Sequence, residues 1–229
     1  MNGNPETRLR SGLTTMGLDP DQHPCAAYLA YIDLLSRWNK AYSLTAIRGA
    51  NEILSRHVLD ALSILPYVRG QNCLDVGTGA GLPGLILALA NPGQHWVLLD
   101  SNSKKVRFLT HAVMELGIRN AEVVRARAED YHADVPFTTI TARAFAVLGL
   151  LYERTWRLLA QDGSLLAMKG PVTPELNGGI AELGRHGVVV QIHELAVPGV
   201  DGRRTLLELR HPDQADLAIP FPITGLSMQ

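Results

Sequence analysis

Up to about Gly70, the hydrophobic positions of the chain follow the period of an α-helix. An apolar stripe with three-residue spacing consists of Leu29, Ile32, Leu35 and Trp38. It predicts an amphipathic helix over Ala26–Lys40. A second helix is predicted from Asn51, whose side chain can cap it, to Leu65, where Pro66 ends it. The intervening residues 41–49 predict a loop.

Beyond Asn72 the pattern changes to short apolar runs that alternate with helical stretches. The predicted strands are Cys73–Val76, Trp96–Asp100, Glu122–Arg125, Thr138–Ala142, Ser164–Met168, Val188–Leu195 and Thr205–Arg210. The predicted helices are Pro83–Ala90, Lys104–Leu116, Leu148–Leu159 and Pro174–His186. This alternation predicts an α/β fold, a parallel sheet with helices on both faces. The segment Val197–Gly202 joins the last two strands and leaves no room for a crossover helix, so these strands should run antiparallel.

The length of 229 residues suits one ordinary domain with an appended element. We expect an N-terminal helical extension over residues 1–70, an α/β domain over residues 71–212, and a C-terminal tail over residues 213–229. No internal repeat or low-complexity segment interrupts this organisation.

Composition and charge narrow the class of protein. Apolar residues make up 46% and charged residues 19%, so we expect a sizeable core and exclude a chain that is disordered throughout. Twenty-one basic and 22 acidic residues give a net charge of -1. This balance argues against nucleic-acid binding by bulk positive charge but is compatible with a local basic patch.

Cysteine and histidine usage argues against disulfide and metal chemistry. The two cysteines, Cys25 and Cys73, lie far apart, and the eight histidines are scattered. A disulfide framework and a metal site are therefore not expected. The first residues carry no basic-then-apolar signal pattern, and no apolar run approaches the roughly 20 residues of a membrane span. We expect a monomeric, cytoplasmic protein without a membrane partner.

The strongest local signal is the segment Leu74–Gly84, LDVGTGAGLPG, which follows a predicted strand and opens a predicted helix. Glycines permit positive φ and let a ligand approach the backbone closely. The next predicted strand ends at Asp100, whose carboxylate can accept hydrogen bonds from both ribose hydroxyls of an adenosine. The pattern therefore predicts an adenosine-containing cofactor at this turn.

Two cofactors compete for this loop. Residues Gly79–Gly84 satisfy the dinucleotide fingerprint G-x-G-x-x-G, and Asp100 follows at a suitable remove. The glycine run starts earlier, however, at Gly77, and Asp75 precedes it, which is the pattern of S-adenosylmethionine enzymes. Pro83 also removes a backbone donor that a pyrophosphate would use. We therefore favour S-adenosylmethionine, and the antiparallel final hairpin favours a class I methyltransferase (Rossmann-like) sheet.

Cations follow several of the predicted strands. Ligands bind outside the carboxyl ends of the strands of an open α/β sheet. The cations expected at this edge are Lys104, Lys105, Arg107, Arg127, Arg143 and Lys169. Because the sulfonium of S-adenosylmethionine is itself cationic, a phosphate, a carboxylate or the edge of a guanine is a better partner for them. Arginine suits guanine because its planar fork matches two acceptors together.

The helical region contains two polar segments. Arg56, His57 and Asp60 have the spacing of one helix face, which is typical of a structural polar cluster. The segment Trp38–Thr45, WNKAYSLT, combines an aromatic ring, amides and hydroxyls. Such a segment forms either a lid over a site or an ordinary helix C-terminus.

Eight segments match one protein family in the family's order, over roughly residues 30 to 210. They are Trp38–Ala46, Arg56–Asp60, Leu74–Gly84, Leu99–Ser101, Lys105–Leu109, Arg143–Ala146, Met168–Gly170 and Val197–Gly202. Through them the chain resembles the bacterial small-subunit ribosomal RNA guanine-N7 methyltransferases, also called the glucose-inhibited division protein B family. The resemblance implies that S-adenosylmethionine methylates N7 of one guanine in the 530-loop region of 16S ribosomal RNA.

The resemblance and the residue chemistry together give three sets of expected site residues. The cofactor-binding set is Gly77, Gly79, Gly81, Leu82, Asp100, Ser101, Ala128, Glu129 and Arg143. The catalytic set is Asn39, Arg143 and Lys169. The RNA-binding set is Lys40, Arg56, His57, Lys104, Arg127 and Lys169. The expected partner is 16S ribosomal RNA, either naked or within the 30S subunit.

The chain departs from the family pattern at two positions. Ser43 stands where the family usually has Asn, and Ala61 stands where it usually has Ser. Other functions fit parts of the pattern: a methyltransferase for a small molecule or a protein, a noncatalytic S-adenosylmethionine sensor, and an NAD-linked oxidoreductase. The oxidoreductase requires an acid or base at the hydride site, and none is evident in the sequence.

Overall fold

A seven-stranded mixed sheet lies at the centre of the computed structural model, which describes residues 4–144 and 147–212. Its strands are β1 Asn72–Val76, β2 His95–Leu99, β3 Ala121–Val124, β4 Phe137–Arg143, β5 Leu159–Lys169, β6 Val189–Leu195 and β7 Arg204–Arg210. They lie in the order β3-β2-β1-β4-β5-β7-β6. The neighbours among β1 to β5 are parallel, and β7 runs antiparallel to both β5 and β6. The predicted parallel sheet with a final antiparallel hairpin is confirmed.

The helices are distributed as the pattern of apolar residues predicts, with a larger N-terminal set. They are α1 Pro5–Thr15, α2 Cys25–Tyr42, α3 Ala50–Ile53, α4 Asp60–Leu62, α5 Gly84–Ala90, α6 Ser103–Glu115, α7 Leu148–Thr155 and α8 Pro174–Arg185. A π-helical segment, Leu54–Leu59, joins α3 and α4 into one continuous run. None of the helices described here is long and apolar enough to cross a bilayer.

Two hydrophobic cores cover the two faces of the sheet. Cys73 of β1 belongs to the first core and its neighbour Leu74 to the second, because successive strand residues point to opposite faces. The first core joins the sheet to α5, α6 and the N-terminal helices, with Leu9 of α1 and Tyr31 of α2 fully buried. The second core packs α7 and α8 on the other face. The N-terminal helices therefore share a core with the sheet, while the domain boundary at residue 70 stays a prediction.

Several predicted element boundaries are wrong, and the helix predicted over Leu148–Leu159 ends at Thr155. The second N-terminal helix begins at Ala50 and ends at Leu62 rather than at Leu65. Pro66 explains the earlier end, since it has no N–H for the carbonyl of Leu62 and its ring would clash with that carbonyl. Strand β5 starts at Leu159, five residues before the predicted start. A register shift between Phe137 and Thr139 of β4 lets Leu159 pair with Phe137, so the strand begins earlier.

One helix was not predicted, and some predicted segments lie outside the described residues. Helix α1 was not predicted as a separate element, although Asn4 caps it and accepts the Glu6 N–H at 3.1 Å. The predicted C-terminal tail, residues 213–229, lies outside the described residues. So do Phe145 and Ala146 of the Arg143–Ala146 segment.

Candidate active site

Asp75 fixes the glycine loop between β1 and α5. Its buried carboxylate accepts the Gly84 N–H through Oδ2 and the Thr141 hydroxyl through Oδ1, both at 2.8 Å. Burial raises the pKa of Asp75, and these hydrogen bonds oppose that shift. A Cβ on Gly84 would lie 2.5 Å from the Asp75 Cβ, so glycine is required for this close approach. Asp75 thus ties the start of α5 to two central strands.

The loop turns through glycines with positive φ. Gly77, Gly79 and Gly81 have φ of 67°, 62° and 87°. The Gly77 N–H donates to the Leu99 carbonyl at 2.8 Å, and the Gly79 N–H donates to Asp100 Oδ2 at 2.9 Å. These bonds hold the loop against the end of β2. They place its backbone beside Asp100, as the sequence predicts.

A cleft of about 150 Å³ opens at the carboxyl ends of β1, β2 and β3, and we call it the first cleft. Its lining consists of Val76, Gly77, Leu99, Asp100, Ser101, Ala126, Arg127, Ala128, Glu129 and Arg154. The structure thus brings together five of the expected cofactor residues: Gly77, Asp100, Ser101, Ala128 and Glu129. A Cβ on Gly77 would meet no atom within 4 Å, so the loop presents open backbone at this edge.

The other expected cofactor residues lie outside that lining. Gly81 and Leu82 are buried beneath the loop, and a Cβ on Gly81 would lie 2.7 Å from the Leu85 Cβ. Gly79 is half-buried in the loop itself. Arg143 points to a different cleft, described below. Their direct contact with a cofactor stays a prediction.

Two arginines that the sequence did not single out support the first cleft. Arg157 Nη2 donates to the carbonyls of Ala128, Glu129 and Tyr131 at 2.9, 3.0 and 2.6 Å. Arg154 Nε lies 3.7 Å from Glu129 Oε2. Arg154 lies within α7 and Arg157 comes just after it, so the rule that ligands lie at strand ends does not point to them.

A second cleft of about 360 Å³ lies at the ends of β4 and β5 and the start of β7. Its lining is Ile47, Arg56, His57, Asp60, Arg143, Ala144, Met168, Lys169, Gly170, Leu195, Arg204 and Thr205. Because β1 and β4 are neighbours in the sheet, the two clefts occupy adjacent parts of one edge. Ala144 has φ of 60°, a left-handed conformation that is uncommon for a residue with a Cβ, and strained residues of this kind cluster at functional sites.

Arg143 is held by the helical run that precedes the sheet. Its Nη1 donates to the Arg56 carbonyl at 3.2 Å and to Asp60 Oδ2 at 3.3 Å, and lies 3.3 Å from His57 Nδ1. The predicted cluster of Arg56, His57 and Asp60 therefore has a partner at the end of β4. Through it, the N-terminal helices shape the second cleft.

Asp60 joins two arginines from different strands. Its Oδ2 faces Arg143 and its Oδ1 lies 3.3 Å from Arg204 Nε. Burial raises the pKa of Asp60, and the two guanidinium groups oppose that shift. Arg204 is not among the residues predicted from the sequence. The predicted antiparallel orientation of β7 could have found it, because an antiparallel strand begins where the parallel strands end.

His57 and Asn39 organise the segment that enters the second cleft. His57 is buried, and its Nε2 lies 2.9 Å from the Thr45 hydroxyl. Asn39 Nδ2 donates to the Ile47 carbonyl at 3.0 Å, and its Oδ1 accepts the Thr45 N–H at 2.9 Å. Burial, with the nearby Arg143 charge, lowers the pKa of His57 to about 4, so the ring is neutral at pH 7. Both side chains thus bond within the protein; their predicted catalytic and RNA-binding roles stay predictions.

The expected RNA-binding cations fall in three places. Arg56 and Lys169 line the second cleft, where burial lowers the pKa of Lys169. Arg127 lines the first cleft. Lys40 and Lys104 are exposed on α2 and α6, outside both clefts.

Comparison with known proteins identifies the family. The family model for rRNA small subunit methyltransferase G (GidB) matches residues 25–206. The chain belongs to this family. Curated relatives of the same name are 48% identical in Marinobacter nauticus and 46% identical in Pseudomonas aeruginosa. The first alignment covers 87% of this chain and 92% of the relative, and the second covers 88% and 94%.

Solved structures with little sequence identity share the fold of this GidB family member. The glycopeptide N-methyltransferase MtfA complexed with S-adenosyl-L-homocysteine has a TM-score of 0.57 at 13% identity, covering 68% of this chain and 87% of that one. Precorrin-6y C5,15-methyltransferase from Geobacter metallireducens has a TM-score of 0.54 at 16% identity, covering 75% and 92%. The expected class I methyltransferase fold, with helices before the sheet, is confirmed.

Proposed function

We propose that this protein transfers a methyl group from S-adenosylmethionine to N7 of a single guanine in the 530-loop region of 16S ribosomal RNA. The observation that carries the proposal is the pair of adjacent clefts on one sheet edge in a GidB family member. The first has a glycine backbone and a carboxylate, and the second has arginines and a lysine. Neither cleft needs a residue from a second copy, so we propose a monomer that acts in the cytoplasm, where ribosomes are assembled.

The first cleft supplies the groups that would hold the adenosine end of S-adenosylmethionine. The two carboxylate oxygens of Asp100 accept the backbone N–H groups of Gly79 and Asn102, at 2.9 and 2.8 Å. Each oxygen retains a lone pair that can accept a hydrogen bond from a ribose hydroxyl. Gly77 offers open backbone beside it. Glu129 and Ala128 lie on the opposite wall, where Arg157 holds their carbonyls. When bound, the cofactor supplies an electrophilic methyl group on a sulfonium.

Guanine N7 needs no general base at neutral pH. N7 carries a free lone pair, so no proton has to be removed before it attacks. Alignment of the two reactants then accounts for most of the catalysis and can supply about 7–11 kcal/mol. Methylation leaves a positive charge on the guanine, so a cation directly against N7 would raise the barrier.

The second cleft can bind the guanine and its phosphates. Arg143 and Lys169 would contact O6 or a phosphate rather than N7, since the product ring is cationic. Asp60 holds Arg143 and Arg204 in fixed positions, so little side-chain entropy is lost on binding. The target base has to leave its stack, which costs a few kcal/mol and favours a loop over a duplex. We propose the 30S subunit as the preferred form because a net charge of -1 gives little bulk attraction for naked RNA.

The test uses labelled S-adenosylmethionine with undermethylated 30S subunits, with naked 16S ribosomal RNA, or with neither. N7-specific strand cleavage then maps the label. A single labelled guanine in the 530-loop region is expected, with more label on 30S subunits than on naked RNA. Binding of S-adenosylmethionine without any RNA label would refute the proposal and favour a small-molecule or protein substrate.

Two variants separate the roles of the clefts. Arg143→Ala should lose methylation by at least 100-fold while it retains its fold, because the second cleft loses the cation that Asp60 positions. Asp100→Ala should weaken S-adenosylmethionine binding by about ten-fold or more, since one charge-assisted hydrogen bond contributes about 1.5–3 kcal/mol. Unchanged turnover in the first, or unchanged cofactor affinity in the second, would remove the role assigned to that residue.

A further inference from the structure

An aromatic surface lies between α2 and α6, outside the linings of the two clefts described above. Trp38 of α2 lies 5.1 Å from Tyr42 and 5.4 Å from His111 of α6, measured between ring centroids. Its ring also packs edge-on against the buried Phe108 at 5.6 Å. We call Trp38, Tyr42 and His111 the aromatic platform.

The platform is open to solvent. Tyr42 is 38% exposed, and the side chain of His111 is 45% exposed, whereas Phe108 beneath them is fully buried. Phe108 and Trp38 supply a rigid base, so Tyr42 and His111 are ordered while their outer surfaces stay accessible. Aromatic rings that stay exposed contribute little to the stability of the fold, but they can stack against a planar ligand.

Cations run along α6 to the platform. Lys104, Arg107 and His111 are spaced by three and four residues, so they lie on one face of the helix, and both cations are exposed. Arg37 of α2 is also exposed and lies 4.0 Å from Glu115, which is the acidic residue at the far end of the platform. Positive charge therefore predominates on the side that leads from the platform toward the start of α6.

The platform is connected to both clefts. Helix α6 starts at Ser103, directly after Ser101 and Asn102, and Ser101 lines the first cleft. Tyr42 ends α2, and three residues later Thr45 bonds His57 of the second cleft. A strand of RNA with one base in the second cleft can therefore extend its neighbouring nucleotides toward α2 and α6.

We infer that the aromatic platform stacks an unpaired nucleotide that flanks the target guanine, while Lys104 and Arg107 contact the adjoining phosphates. Stacking on aromatic faces beside cations is the general way in which proteins bind single-stranded nucleic acid. The exposed cations would attract RNA and an acidic protein segment alike, but the aromatic rings favour RNA, because nucleotide bases stack on them and carboxylates do not. This inference rests on the RNA substrate proposed above.

The experiment measures the Kd of the full chain for naked undermethylated 16S ribosomal RNA and for 30S subunits, and the Kd for S-adenosylmethionine. Tyr42→Ala is expected to weaken binding of both RNA forms by about ten-fold, the size of one base–aromatic stack. Tyr42→Phe keeps the ring and should bind like the wild type. Lys104→Ala should also weaken RNA binding, because it removes a phosphate contact. Arg185→Ala is its control, since it removes an exposed cation from the end of α8, on the other face of the sheet.

The outcomes separate this inference from the proposed function. If the wild type methylates the 530-loop guanine but Tyr42→Ala binds RNA equally well, the platform is refuted and the function stands. If Tyr42→Ala weakens RNA binding while the wild type methylates no guanine, the platform is an RNA contact, but the proposed function and the position of the stacked nucleotide beside a target guanine both fail. A loss confined to 30S subunits would overturn the inference and indicate a ribosomal protein as the contact. Wild-type S-adenosylmethionine affinity in Tyr42→Ala is required, because it shows that the loss is not general unfolding.

Discussion

Tyr31 shows how a single hydroxyl connects the N-terminal helices to the cofactor loop. Its hydroxyl donates to the Ala80 carbonyl at 2.8 Å, and both residues are buried. Burial raises the pKa of Tyr31 above its usual range, so the hydroxyl remains a donor. Ala80 lies between the positive-φ residues Gly79 and Gly81, where the loop backbone would otherwise have freedom to move.

Tyr31→Phe is expected to raise the Kd for S-adenosylmethionine by about five- to ten-fold. The variant leaves the buried Ala80 carbonyl unpaired, which costs about 1–3 kcal/mol. We expect part of this cost to appear as a less ordered glycine loop, which weakens cofactor binding. Isothermal calorimetry measures the affinity, and urea unfolding measures the stability. Tyr28→Phe is the matched control, since Tyr28 is also buried on α2 but its hydroxyl lies 3.3 Å from His23 Nδ1. Lower stability with unaltered affinity would make Tyr31 a purely structural residue.

His57 predicts a stability change at mildly acidic pH. Its pKa is about 4 in the fold, and its ordinary value is 6.5, so the unfolded chain binds a proton more readily between these values. The stabilisation from neutral His57 is present above pH 6.5 and is lost as the pH falls toward 4. The loss amounts to about 3 kcal/mol.

The measurement compares the free energy of unfolding of the wild type and of His57→Gln between pH 7 and pH 4. Asp60 and Asp75 have raised pKa values and contribute in the opposite sense, but both proteins contain them, so the difference between the two curves isolates His57. The advantage of the wild type should shrink as the pH falls. Parallel curves would contradict the burial of a neutral His57.

At the scale of elements, the C-terminus of α2 depends on an unusual residue. Ser43 follows Tyr42 with φ of 49° and ψ of 52°, and its N–H donates to the Asn39 carbonyl at 3.2 Å. This left-handed position favours Gly or Asn, and Asn is the residue that the family pattern has there. The departure at Ser43 therefore acts on the helix terminus. Ala61, the other departure, is buried in the first core.

Ser43→Asn and Ser43→Gly should raise the free energy of unfolding by about 0.5–1 kcal/mol, because both residues tolerate the left-handed conformation better than Ser. Thermal and urea unfolding test this directly. Ser11→Gly serves as the control, since Ser11 is exposed within α1 and glycine there should destabilise. A loss of stability in both Ser43 variants would show that the serine side chain itself supports the loop.

The elements also show where sequence patterns are reliable. Strands β1 to β4 begin and end within one or two residues of their predicted bounds, because each is a short apolar run between turn residues. Helix α1 and the π-helical segment were not predicted. Their form depends on packing: Leu9 and Leu13 of α1 are fully buried, and Gly12 lies so close to the π-helical segment that a Cβ would be 2.6 Å from Leu59.

For the whole molecule, the number of phosphate contacts predicts how strongly RNA binding depends on salt. With about four phosphate contacts to a single strand, the slope of log K against log salt should be about -3. Fluorescence anisotropy with 16S ribosomal RNA between 50 and 300 mM salt gives the slope. Lys104→Ala should reduce it by about one contact, and Arg185→Ala should leave it unchanged. A much steeper wild-type slope would mean that many more cations contact the RNA than the two clefts and α6 provide.

The sequence by itself determined the α/β sheet with its antiparallel end, the glycine loop, and the acidic residue that follows β2. These features are local: apolar period, turn residues and backbone conformation are properties of neighbouring positions. The first cleft was predictable for the same reason, because the ends of adjacent parallel strands must meet at one edge. Five of its expected residues line it.

Only the tertiary structure decided the partners across the fold. Asp60 meets Arg143 across 83 positions, and Tyr31 meets Ala80 across 49. Arg204 reaches the same aspartate from the last strand, and Trp38 meets His111 from another helix. A hydrophobic period states which face of an element is buried, but it does not state which element covers that face or at what register. The second cleft and the aromatic platform arise from that packing, so their composition was not contained in any local pattern.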